Sequence, residues 1–396
     1  MSSFESMSAT LAPGDWSMHA PPMHQRNYPC DPIIYSYFGS DHNLDEVGEA
    51  PFKRHLYLCM LGQALQLKAT VESWRSQNPW AILLWQFNDI WPTGGWGLVE
   101  YGTPVPGQVL GGRWKPVMHF LQRSSYADVA AVCGTARLGF DDLQDDFAGG
   151  PALCYLRNDA PRPFQGRVEV ALVHLRTGAS RTLAAGMAEL PAGGGSIGWF
   201  CASNNQSGLD LMRTAPRACP SFADALNASG CAARGGDCVM TVRVLRDESA
   251  VLSSNTLLLA PPKNLSLPSA KVSARLLGAF GRMVVEVSSD AVALFVWLST
   301  LAQGRFSDNC FMLLPGRPVQ VEFLPVPEAA GPSTGDELRR SLRVEHLAEH
   351  LHPPPASAAE HLHPPAAPTV AGTPPVLPLP RRPDGPAQAA ADAFWA

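Results

Sequence analysis

The sequence predicts an α/β segment at the N-terminal side, then all-β domains, then a tail that does not fold. Three observations predict this. A helical stretch over residues 55–76 is followed by a short continuous apolar run, "WAILLWQF", and then by a second helical stretch at "RWKPVMHFLQR". From Ser125 onward, short β-branched runs alternate with turn residues. From about Ala329 the composition shifts to Pro, Ala, His and Ser. A chain of 396 residues has room for two or three domains at roughly 100–200 residues each.

Residues 1–50 read as irregular, because Pro13, Pro21, Pro22, Pro29 and Pro32 interrupt longer elements. In "HLYLCMLGQALQLKATVESWRS", Leu56, Met60, Ala64, Leu67 and Val71 recur at the 3–4 spacing of one helical face. "WAILLWQF" has no helical period and is bracketed by Pro79 and Asn88-Asp89, so it is expected to be a strand buried on both faces. Pro116 fits the first turn of a second helix, Arg113 to Arg123. Helix, buried strand, loop and helix form the pattern of a parallel α/β protein.

The runs "ADVAAVC", "ALCYLRND", "GRVEVALVHLRTG", "CVMTVRVLRD", "NTLLLAPP", "MVVEVSSDAVALFVWLS" and "PVQVEFLPV" read as strands of antiparallel sandwiches, and "LAPPKNLSLP" as the joint between two of them. The expected domains are residues 1–124, 125–262 and 263–328, with a disordered tail over 329–396. That tail repeats "AEHLHPP" from Ala348 and Ala359 and holds 5 of the 11 histidines. Low-complexity repetition accounts for these better than metal binding does. "PPVLPLPRRP" has the form of a ligand for an SH3-type groove.

The composition excludes several classes of function. A formal net charge of -5 gives no basic patch for nucleic acid. The longest apolar run, Ala291 to Leu298, is far short of the ~18–20 residues of a membrane span. No signal peptide is expected, since the opening has neither a basic region nor an apolar core. Nine cysteines show no CxxC pair and no zinc-type cluster, so no metal or cofactor is expected. Cys219, Cys231 and Cys238 allow one local disulfide, and the remaining thiols are expected free and buried. Asn205, Asn227 and Asn264 open N-x-S/T sequons for N-glycosylation.

The stretch "AILLWQFNDIWPTGGWG", Ala81 to Gly97, carries the candidate chemistry. A Trp ring stacks on the apolar face of a pyranose, and its Nε1–H donates to a hydroxyl. Strand alternation sets Trp85, Phe87 and Asp89 on one side, with Gln86 and Asn88 on the other. Asn88 and Asp89 suit hydroxyl binding or the fixing of the loop. The same residues also suit a bulky core that ends in a turn.

This stretch, followed by "GGRWKPVMHF", resembles the last barrel strand and final helix of glycoside hydrolase family 2, in its β-mannosidase branch. "SSFESMSATLAPGDWSMHAPPMHQR", "YLCMLGQALQLKATVESWR" and "GRFSDNCFMLLPGRPVQVEF" resemble, in order, the segment after the seventh barrel strand, the seventh helix and the closing strands of the last sandwich. The link "EYGTPVPGQVLGGRW" is longer than the family's. The resemblance implies the C-terminal part of a (β/α)8 TIM barrel, then two immunoglobulin-like β-sandwich domains. It implies a retaining exo-β-mannosidase acting on terminal non-reducing β-D-mannose of β-mannosides and N-glycan core fragments, in a lysosomal or secretory setting. Such enzymes use two carboxyl groups about 5–5.5 Å apart. Neither catalytic Glu has a matching position here: Glu5 lies beyond the nucleophile's place, and Glu46, Glu49 and Glu100 have no match. No catalytic residue is therefore assigned, and the chain is expected to be inactive alone. The resemblance makes Trp85 the innermost sugar platform. Trp91 and Trp96 would line an outer subsite, and Arg113 and Lys115 would be structural ties. A non-catalytic carbohydrate-binding or scaffold module, a sister specificity of the same family and a decayed remnant stay open. Residues 1–124 are expected to be poorly stable in isolation, and residues 125–325 to fold as independent sandwiches.

Overall fold

The computed structural model of the protein describes residues 1–351, apart from 25, 27–29, 77, 103–111, 134–152, 195, 202–221, 233–234, 248–249, 280–281 and 328–329. Asn205, Cys219, the "PPVLPLPRRP" motif and most of the long link before Arg113 lie outside the described residues.

The N-terminal layer is helical: α1 (Phe4–Met7), α2 (Cys30–Phe38), α3 (Glu49–Ser76) and α4 (Pro116–Phe120), the last continued by a π-turn to Ser125. Pro116 occupies the start of α4, where its missing N–H costs nothing. Along α3, Leu56, Met60, Ala64 and Val71 are buried, and Leu67 packs at the margin of the same core. The burial goes further than one face, because Tyr57, Leu58, Cys59 and Leu61 are buried as well. Residues 55–64 are buried on every side, so this stretch must be covered all round. One cover is α2, joined to α3 by a disulfide between Cys30 and Cys59. Gly62 permits that approach, since a Cβ there would stand 2.2 Å from Ile33 Cγ2. The expectation of free thiols fails at this pair. The other cover is the last β domain, where the Tyr57 hydroxyl donates to the Phe295 carbonyl at 2.8 Å.

The described residues between 129 and 258 include two antiparallel sheets around one core. The smaller has the order β1 (Val129–Cys133), β2 (Leu153–Asn158), β5 (Ser196–Cys201). The larger runs β4 (Ser180–Leu190), β3 (Phe164–His174), β6 (Cys238–Leu245), β7 (Val251–Leu258). In β3, Phe164, Val168, Val170 and Leu172 alternate inward, the last three opposite the buried Val244, Val242 and Met240 of β6. Helix α5 (Phe222–Ala228) and a Cys231–Cys238 disulfide close one corner. That disulfide uses two of the three cysteines proposed for a local bridge.

The last domain stacks β11 (Gly304–Phe306), β13 (Val319–Pro325), β9 (Arg282–Ser289), β8 (Val272–Ala279) against β12 (Phe311–Leu313), β10 (Ala293–Ser299), β14 (Arg343–Glu345). Every residue of β10 is buried. Val296 and Leu298 face the domain's own core, while Phe295 and Trp297 enter the core shared with α1–α4. Val173, Leu175 and Val239 of the first β domain join that shared core.

Two expectations are corrected. The disorder expected from residue 329 does not hold for residues 332–351, which form α6 (Pro332–Ser341), β14 and α7 (Leu347–Leu351). Leu338 and Leu347 are fully buried, and Val344 pairs with Leu298, so this polar-looking stretch carries apolar anchors at the needed spacing. The run Trp80–Phe87, expected as a strand buried on both faces, is no strand: the backbone bends at Trp80, Trp85 and Phe87, and the run joins no ladder among the described residues. Ile82 and Leu84 pack on the shared core, whereas Leu83, Trp85 and Phe87 face outward. The helical layer supplies a neighbour for one face only. The only parallel pairing found among the described residues is the isolated bridge between Asn88 and Val99.

Candidate functional site

The loop after Phe87 is built around a buried ion pair. Asp89 N donates to the Val99 carbonyl at 2.8 Å, and Val99 N to the Phe87 carbonyl at 3.0 Å. Lys115 N donates to the Leu98 carbonyl at 3.2 Å, so the approach to α4 lies beside both strands of the loop. Inside, Lys115 Nζ lies 2.7 Å from Asp89 Oδ2 and donates to the Gly95 carbonyl at 3.0 Å. Asp89 also accepts from Ser2 Oγ at 2.9 Å and from Gly97 N at 2.7 Å. Both charges are out of contact with solvent. Burial lowers the Lys115 ammonium from its ordinary value, and the carboxylates of Asp89 and Glu100 oppose that shift. Gly97 is required by close approach: a Cβ would sit 2.3 Å from the backbone of Asn88 and Asp89.

A second buried carboxylate, Glu100, accepts from Ser3 N at 2.6 Å and from the Ser6 hydroxyl. Arg113 donates to Ser6 Oγ at 2.9 Å and to the carbonyls of Thr300 and Leu301 at 3.0 Å each. It ties the start of α4 to the last β domain. Glu5 is bound to Arg343 Nε at 3.0 Å and to Ser299 Oγ at 3.0 Å. Burial alone would raise its carboxyl, but the Arg343 guanidinium outweighs burial and holds it below the ordinary value.

What the loop shows to solvent is aromatic. Trp85 is 82% exposed, and Trp91 and Trp96 are each 42% exposed. The Trp85–Gln86 peptide bond is cis. Arg26 lies over the Trp91 ring at 4.0 Å, a cation–π contact, and Gln63 Nε2 donates to the Trp96 carbonyl at 2.6 Å. Asn88 is exposed and donates to its neighbour's carbonyl, Asp89 O, at 3.0 Å. Of the five candidates, Trp85, Asn88, Trp91 and Trp96 stand at the surface of one loop. Asp89 lies beneath it, in a position to fix the loop rather than to meet a ligand. The sequence reading missed the seryl contacts of Glu100 and Asp89. Its available signal was the pairing of two loop carboxylates with two cations, Arg113 and Lys115, spaced to share one side of an extended segment.

Among the described residues, the one grouping with metal-ligand spacing is Cys231, Asp237 and Cys238, whose two sulfurs are joined to each other. No described helix is long and apolar enough to cross a membrane.

Comparison with known proteins agrees with this architecture. Residues 265–350 match the Ig_mannosidase family, an Ig-fold domain. The chain is 27% identical over 312 residues to a β-mannosidase of Bos taurus, covering 75% of this chain and 30% of that protein. It is 26% identical over 367 residues to a β-mannosidase of Capra hircus, covering 88% and 36%, and 24% identical over 314 residues to β-mannosidase A of Aspergillus fumigatus, covering 78% and 30%. The crystal structure of a β-D-mannosidase from Dictyoglomus thermophilum superposes with a TM-score of 0.59 at 21% identity, covering 87% of this chain and 36% of that one. The fold is thus one shared with about a third of that β-D-mannosidase structure, and it includes an Ig-fold domain over residues 265–350. The chain is similar to these β-mannosidases over most of its own length, and it spans about a third of the length of the proteins it matches.

Proposed function

We propose that residues 1–124 form the last wall of a (β/α)8 TIM barrel in a glycoside hydrolase of family 2. The activity is that of a retaining exo-β-mannosidase, releasing terminal non-reducing β-D-mannose from β-mannosides and N-glycan core fragments. One observation carries the reading: the run Trp80–Phe87 leaves Leu83, Trp85 and Phe87 open to solvent and leads into a loop that displays Trp91 and Trp96. Barrel enzymes gather their active-site groups at the C-terminal ends of strands and in the loops that follow; Trp85 lies near the end of the run, and Trp91 and Trp96 in the loop after it. Trp85 serves as the sugar platform, Asn88 offers an amide to a hydroxyl, and Trp91 and Trp96 flank an outer subsite.

The carboxylates beside this wall are committed elsewhere. Asp89 pairs with Lys115, Glu100 lies against Ser3, Ser6 and Arg113, and Glu5 is held by Arg343. None is free to act as nucleophile or as acid/base, so the pair that retaining chemistry needs comes from other barrel strands. The 396-residue chain by itself is inactive.

A chromogenic β-mannoside tests both halves. The chain alone hydrolyses it no faster than buffer; turnover abolished by substituting one of its own carboxylates would overturn the assignment of those groups. In the complete enzyme, Trp85→Ala lowers kcat/KM by roughly 10–1000-fold, from about 1–4 kcal/mol of lost contact. Kinetics unchanged by that substitution rule out the platform.

A further inference from the structure

The outer corner of the first β domain brings together two sequons and a disulfide. Asn227 lies near the end of α5 and is exposed, with Ser229 as its hydroxyl partner two residues on. Four residues after Asn227 comes Cys231, whose N–H donates to the Leu226 carbonyl at 2.9 Å and whose sulfur is bonded to Cys238. The loop closed by that bond touches the second sequon. Ser266 N donates to the Gly236 carbonyl at 2.7 Å, and a Cβ on Gly236 would stand 2.6 Å from the Asn264 carbonyl. Asn264 ends a short 3₁₀ turn, Pro262–Asn264, and is exposed, as is Ser266. Neither asparagine side chain is held by a hydrogen bond among the described residues.

We propose that Asn227 and Asn264 carry N-linked glycans, placed on both flanks of this disulfide-closed corner. The transferred group is an oligosaccharide on a lipid diphosphate donor. The asparagine amide nitrogen forms the bond to the anomeric carbon, the sugar–phosphate bond breaks, the lipid diphosphate leaves, and the amide proton passes to a base of the transferase. Addition at N-x-S/T requires passage through a compartment where disulfides also form. Among the described residues the structure holds two such bonds, Cys231–Cys238 and the separate Cys30–Cys59 bridge inside the helical layer. Disulfides and sequons thus point independently to the same compartment. The folded corner leaves both amides open to solvent, with room for a bulky, hydrated substituent.

The test uses the protein isolated from the cells that make it, treated with peptide-N-glycosidase and digested without reduction. The expected result is Asn-to-Asp conversion at 227 and 264, in peptides where Cys231 and Cys238 remain joined. Asn227→Gln and Asn264→Gln each remove one step of the mobility shift that the glycosidase causes. A peptide recovered wholly unmodified overturns the assignment at its site. Free thiols at Cys231 and Cys238 overturn the shared compartment.

Discussion

Lys115 is an ammonium group with no solvent contact, and the loop that displays the tryptophans is folded around it. Its desolvation is offset by Asp89 at 2.7 Å and by the Gly95 carbonyl at 3.0 Å. Removing one member of such a pair strands the other charge, typically at a cost of about 3–5 kcal/mol. Lys115→Met is therefore expected to lower the free energy of unfolding by about that much in urea titrations. The double variant Asp89→Asn, Lys115→Met should lose less, because the amide still accepts from Gly97 N and no charge is left unpaired. Equal losses in the two would show that packing, not charge, sets the effect. Asn-Asp and Gly-Gly beside Trp91 and Trp96 marked these two as loop residues, but Trp85 fell in a run expected to be buried on both faces and is instead 82% exposed. The role of Asp89 was not legible, because its partners Ser2 and Gly97 reach it through tertiary contacts that no local pattern encodes.

Two continuous apolar runs, "ALFVWLS" and "WAILLWQF", look alike as strings and fold differently. The first is β10, buried on both faces because a sandwich core lies on one side and the helical layer on the other. The second has a neighbour on one side only, so Leu83 is 88% exposed. Burial of a strand depends on what flanks it, which the strand's own residues do not state. Helix α3 was legible as a helix from its period but not as one covered all round. The helical layer also buries histidine ring nitrogens that have no hydrogen-bond partner among the described residues. Both ring nitrogens of His55 on α3 lack hydrogen bonds, as does Nδ1 of His119 on α4. Burial, then Arg54, His42 and His19, push His55 down to about 3; burial, then Arg123 and Arg305, do the same for His119. Their folded values lie below the unfolded value of about 6.5, so the unfolded chain takes up protons first. Stability is complete above about pH 6.5 and falls by about 1.4 kcal/mol per pH unit for each group as pH drops toward 3. Unfolding midpoints across that range check this, and His55→Leu should flatten the decline. An unchanged slope in that variant means His55 stays neutral in both states or is already solvated.

At the scale of the whole molecule, the helical layer and the β domains do not come apart cleanly. The expectation from sequence was that residues 125–325 fold as independent sandwiches. The shared core argues otherwise, since Leu294, Phe295 and Trp297 of the last domain and Val173 and Val239 of the first are buried in it. Covering each such side chain contributes roughly 1.5–3 kcal/mol. Residues 126–351 expressed without the helical layer should therefore be at least about 4 kcal/mol less stable than the chain of 396, and should bind a hydrophobic dye at the exposed face of β10. Arg113 adds to the coupling, since its guanidinium donates to Thr300 and Leu301 across the same boundary. Arg113→Ala in the intact chain should reproduce part of the loss, about 1–3 kcal/mol for buried groups left unpaired. Equal unfolding free energies for the excised and intact proteins would show the two layers to be energetically separate. The wall bearing Trp85 would then rest on its own packing, rather than on the β domains that brace it.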